Sequence, residues 1–81
     1  MSIEDVIFLI KDTEEDAMCP RNVRNTLDEA KKYLVDDKQD MNLRVSAAVY
    51  AIQKITDDPN IPTHIRVKLF NILSALESVK I

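Results

Sequence analysis

Apolar residues recur along this chain at helical spacing, in four blocks separated by short polar stretches. Ile3, Val6, Ile7 and Ile10 form the first block. Ser2, Glu4 and Asp5 stand at its start, a cap residue followed by acids that suit the positive first turn of a helix. Val23, Leu27, Ala30 and Leu34 line the inner face of a second helix opened by Pro20, with Asp28 and Lys32 as an i,i+4 pair outside. Ten of the fifteen residues Met41–Ile55 are apolar, which predicts a third helix, capped by Asp40, that runs to about Thr56 and is buried on several sides. Its alanines admit close neighbours, so this helix is the expected centre of the core. Ile65, Leu69, Ile72, Leu76 and Val79, widened by Leu73, give the stripe of a fourth helix opened by Pro62. Strict alternation of apolar and polar residues is missing, so no strand is expected and the fold class is all-α.

The blocks are related to one another. Asp16, Pro20, Val23 and Arg24 match Asp58, Pro62, Ile65 and Arg66 at an offset of 42, and the same offset pairs Ile10 with Ile52, Leu27 with Leu69 and Leu34 with Leu76. A fixed period near 40 residues marks a helical repeat. The chain therefore reads as one domain, 1–81, built from two helix-turn-helix units: repeat one about 2–36, repeat two about 41–81. The polar segment Asp36-Asp37-Lys38-Gln39-Asp40 connects them, and Asp57-Asp58-Pro59-Asn60-Ile61 is the turn within the second.

Composition narrows the function classes. With 46% hydrophobic and 31% charged residues the chain suits a soluble globular domain. It has no apolar run long enough for a membrane span and no basic-then-apolar amino terminus, which makes the cytoplasm the expected compartment and a membrane an unexpected partner. Glycine is absent, and phosphate-cradling loops, dinucleotide fingerprints and nucleophile elbows all depend on it. One cysteine precludes an internal disulfide, and one cysteine with one histidine falls short of a zinc site. No cofactor or metal is expected, and the chain does not read as an enzyme. The net charge of −3 is unevenly spread: residues 1–40 carry 11 acids and 6 bases, residues 41–81 carry 3 acids and 5 bases.

The segment Met41-Asn42-Leu43-Arg44-Val45-Ser46-Ala47-Ala48 resembles the opening of a HEAT-type helix, in which a basic residue precedes small residues facing the next repeat. Asp58-Pro59-Asn60-Ile61-Pro62-Thr63-His64-Ile65-Arg66, with Leu73-Ser74-Ala75-Leu76-Glu77-Ser78, is similar to a family of short, uncharacterised archaeal proteins, and the similarity covers nearly the whole chain. Pro20 to Arg24 fits that pattern too, although Met18-Cys19 stands where a more polar turn is expected. The resemblance implies a compact four-helix array of two HEAT-like helical hairpins, and it carries over no catalytic residue.

Four groups are candidates for function. Asp16 with Arg24, and Asp58 with Arg66, are expected to pair across their turns, each offsetting an unfavourable helix end; alternatively Arg21, Arg24, His64 and Arg66 form an anion-binding edge at two helix amino termini. Cys19 and His64 fall in corresponding turns, but Cys19 matches Ile61 and reads as a small hydrophobe rather than half of a nucleophilic dyad. Glu14, Glu15, Asp16, Asp57 and Asp58 read as solvated helix ends rather than metal ligands. The fourth group is apolar residues off their stripes. Phe8 lies opposite the inner face of helix one, Leu9 well off it, Val67 opposite the face of helix four and Phe70 at its margin. Tyr50 matches Phe8, with neighbours of helix three expected to cover it. In an open stack of two units the first helix is left uncovered. The favoured reading is a small interaction protein, homodimeric or docking a protein partner, with Phe8 and Leu9 central and Val67 and Phe70 auxiliary. The alternative is RNA or ribonucleoprotein binding through Arg21, Arg24, Arg44, Lys54, Arg66 and Lys68, set against an acidic first half and no aromatic platform.

Overall fold

A computed structural model describes residues 2–79 and contains four helices: α1 (Ile3–Glu15), α2 (Arg21–Val35), α3 (Met41–Thr56) and α4 (Thr63–Glu77). Among the described residues there is no strand, and no helix is long and apolar enough to cross a membrane.

Helix starts follow the local chemistry. Ser2 and Asp5 form a reciprocal capping box: the Ser2 hydroxyl accepts from the Asp5 N–H at 3.2 Å, and the Asp5 carboxylate accepts from the Ser2 N–H at 3.1 Å. The Ser2 N–H, and after it the Ser2 hydroxyl, hold the Asp5 carboxyl below its ordinary pKa. Asp40 caps α3 by accepting from the Leu43 N–H at 3.0 Å. Pro20 and Pro62 sit one residue earlier than expected, at the cap rather than inside the first turn. Each offers its carbonyl to an arginine N–H at 3.0 Å, Pro20 to Arg24 and Pro62 to Arg66. A proline ring suits this extended cap because its missing N–H would have no helical partner there.

The helices close into a ring: α1 packs on α2, α2 on α3, α3 on α4, and α4 back on α1, with no close backbone approach across the diagonals. This differs from the open stack expected from the repeat. In an open stack α1, as the end helix, would pack on its own hairpin partner and leave its other flank bare. Here α4 returns to cover its second flank. Val6, Ile10 and Thr13 of α1, Val23, Leu27, Ala30 and Leu34 of α2, Ala48, Ala51 and Ile52 of α3, and Ile65, Leu69, Ile72 and Leu76 of α4 all lie buried. Close backbone approach is most extensive between α2 and α3, which carry the buried small residues Ala30, Ala48 and Ala51. Closure completes the core within one chain.

Ring geometry also corrects the expectation for α3. Each helix has two neighbours, so each keeps an outer face, and Tyr50 is 65% exposed with Leu43 alongside. The Lys54 ammonium lies 5.0 Å from the Tyr50 ring centroid and covers part of it.

Candidate functional site

The two intra-hairpin turns lie at one end of the ring and use matching bonds. The Asp16 carboxylate accepts from the Met18 N–H at 2.8 Å, and the Asp58 carboxylate accepts from the Asn60 N–H at 2.9 Å. Arg24 donates to the Asp16 main-chain carbonyl at 3.4 Å; Arg66 donates to the Asp58 carbonyl at 2.7 Å and also to the Thr56 carbonyl. The expected Asp–Arg ion pairs therefore do not form. The guanidinium groups go instead to carbonyls at a helix carboxyl end, which lack helical partners and favour a cation.

The carboxylates reach across to the opposite hairpin. Asn22 donates to Asp58 at 3.1 Å, and His64, 42 residues later, contacts Asp16 at 3.2 Å. Lys68 adds ion pairs to Asp16 at 3.1 Å and Asp12 at 3.4 Å, tying α4 to α1. Of the proposed anion-binding set, Arg24, His64 and Arg66 are thus engaged inside the chain. Arg21 alone is exposed with no side-chain partner among the described residues. Cys19 is buried, its sulfur 3.7 Å from the Pro20 carbonyl, and burial pushes its thiol pKa up, opposite to an activated nucleophile. Among the described residues no three His, Cys, Asp or Glu side chains are arranged to hold a metal ion.

The Met18 N–H, then the Lys68 and His64 side chains, lower the Asp16 carboxyl from 3.8 to about 2. A depressed folded-state pKa contributes stability above the unfolded value, and that contribution is lost as pH falls from near 4 through about 2. Carbon-detected NMR titration should find the Asp16 carboxyl still ionised at pH 3, and Lys68→Met should move its midpoint upward. A midpoint at the ordinary aspartate value would show that the bonds to Asp16 do not form.

The apolar candidates separate. Phe8 is 70% exposed on the outer side of α1. Leu9, expected to share that face, is half-buried against the core in the α1–α4 groove beside Asp12, Thr13, Lys68 and Asn71. Ring closure is the reason, because α4 covers the flank that an open stack would leave bare. Lys68 and Asn71 face α1, so Phe70, 200° round the helix from Lys68, turns away toward the α3 flank, and Val67 points outward. Val67 and Phe70 therefore form a patch apart from Phe8.

Phe8 shares a shallow recess on the outer side of α1 with Glu4, Ile7 and Lys11. Half-buried Ile7 and Val35, which is 62% exposed, floor a groove of about 350 Å³ between α1 and α2, with Lys11, Asp28, Lys31 and Lys32 as its walls. Lys31 binds Glu14 at 2.7 Å and Asp28 at 3.3 Å, which joins the two helices along the groove. Val35 escaped the sequence reading. It directly follows the stripe residue Leu34 and so lies about 100° round the helix from it, a signal obscured by the adjoining polar turn.

The chain belongs to the uncharacterised protein family UPF0147, whose model matches residues 1–79. It is 33% identical to a UPF0147 protein of Thermococcus kodakarensis, covering 96% of this chain and 95% of that one. A UPF0147 protein of Sulfurisphaera tokodaii is also 33% identical, with 96% and 88% covered. Among solved structures, the protein of unknown function MMP1188 superposes with a TM-score of 0.90 at 32% identity, covering 98% of this chain and 90% of that one. A UPF0147 protein from Thermoplasma acidophilum superposes with a TM-score of 0.89 at 28% identity, covering 95% and 91%.

Proposed function

We propose that this protein is a non-enzymatic interaction module of the cytoplasm, a pair of HEAT-like hairpins that self-associates through the outer face of α1. One observation carries the reading: Phe8, an aromatic side chain, stands 70% exposed in a shallow recess that it shares with Glu4, Ile7 and Lys11. Aromatic anchors next to pockets are where interface energy concentrates. Because the ring buries its core without help, association draws only on this outer face and is not needed for folding. The basic residues support nucleic-acid binding less well, since Arg24 and Arg66 are spent on carbonyls and Lys68 on carboxylates.

Phe8→Glu should raise the dimer dissociation constant at least about tenfold while leaving helicity and thermal midpoint close to those of the parent. Sedimentation equilibrium with circular dichroism reads both. A parent protein that is monomeric and folded at high micromolar concentration would sink the proposal.

A further inference from the structure

The charges on α1 divide into two sets. Those on its flanks are engaged within the chain: Asp5 in the cap, Asp12 and Asp16 with Lys68, and Glu14 with Lys31. Those on the outer face are not. Glu4, Lys11 and Glu15 make no side-chain bond or ion pair among the described residues, although Glu4 and Lys11 line the same shallow recess as Ile7 and Phe8.

Glu4 and Lys11 are seven residues apart, two helical turns, so they bracket Phe8 along one stripe. A strip with one acid at one end and one base at the other is complementary to itself when reversed. A partner of uniform charge would satisfy one and repel the other. We propose that two copies pair through α1 run antiparallel, the two-fold axis passing between Ile7 and Phe8, with Glu4 of each copy facing Lys11 of the other. This inference rests on the reading of α1 as the docking face and names what occupies it.

The register is internally consistent. Residue j meets residue 15 − j, so Phe8 of each copy lies against Ile7 of the other, and Ile7 also lines the groove that reaches Val35. The two Lys11 ammonium groups sit about 10 Å apart along the axis at 1.5 Å per residue, roughly a Debye length, so their repulsion is weak beside the close Glu4–Lys11 contacts. Glu15 falls just beyond the other copy's α1 amino end, on the favourable side of that helix dipole. Two-fold pairing uses both contacts twice.

Charge reversal tests the register separately from docking. Lys11→Glu alone places Glu against Glu at both contacts, and Glu4→Lys alone places Lys against Lys. Each variant should dimerise about tenfold more weakly than the parent. Mixed in equal amounts, they restore opposite charges at both contacts, so native mass spectrometry with one variant isotope-labelled should show the heterodimer in excess of either homodimer. A dimeric parent whose charge variants dimerise normally and mix at random would overturn the antiparallel register while leaving the docking face intact. A monomeric parent would overturn both.

Discussion

Leu69→Ala should lower the free energy of unfolding by about 3 kcal/mol, the range of a fully buried leucine whose cavity cannot collapse. Leu69 is 0% exposed, and Leu27, the residue 42 positions earlier, is also 0% exposed. Helices on both flanks of α4 hold the site open, because the ring is closed and no element is free to slide inward. For a chain of 81 residues this is a large share of a total of about 4–12 kcal/mol, and the thermal midpoint should fall by about 15 °C. Phe70→Ser, one position on, provides the contrast: Phe70 is 52% exposed, so the change should stay within about 1 kcal/mol. Urea denaturation monitored by circular dichroism measures both. Equal losses for the two variants would contradict the placement of α4 in the ring.

Arg66→Met should cost about 2 kcal/mol, whereas Arg24→Met should cost about 0.5 kcal/mol, although both arginines occupy matching turns. The difference comes from burial and bond number. Arg66 is half-buried and joins the Thr56 and Asp58 carbonyls, so its loss strands two acceptors at the carboxyl end of α3. Arg24 is exposed and makes one long bond, 3.4 Å, to the Asp16 carbonyl. Methionine keeps most of the aliphatic stem, so the measurement isolates the guanidinium. Arg66→Lys should recover at most half the loss, because an ammonium lacks the planar fork that spans two carbonyls. Denaturant midpoints of the three variants, compared at unchanged m-value, decide the matter. Similar losses at positions 24 and 66 would remove the asymmetry between the turns.

Much of the fold was legible in residues. Ser2 and Asp40 mark the starts of α1 and α3 because a side-chain oxygen satisfies an N–H that the helix leaves orphaned, a property local to three residues. Stripes such as Val23-Leu27-Ala30-Leu34 predict buried faces because helical period alone puts them together. The candidate sites were legible only in part. Exposure of Phe8 follows from its angle on α1, and the structure agrees. Leu9 could not be read the same way, since its burial depends on which helix lies beside α1. Spacing places the arginines in the right turns but pairs them with the Asp16 and Asp58 carboxylates, where the structure has main-chain carbonyls. A charged side chain chooses between a carboxylate and a carbonyl according to distances of a few ångströms, which no spacing rule resolves.

Local order was therefore determined by the sequence itself: four helices, the side-chain caps of α1 and α3, and the stripe that each helix must bury. Those properties arise from helical period and from interactions within about one turn of chain. Tertiary structure alone decided the circuit. Closure of α4 onto α1 half-buries Leu9, leaves Phe8 and Tyr50 outside, and sends His64 to Asp16 and Asn22 to Asp58. Two hairpins with the same stripes can stack in line or close on each other. The choice lies in how whole faces fit, and this chain takes the arrangement that buries its core without a third unit.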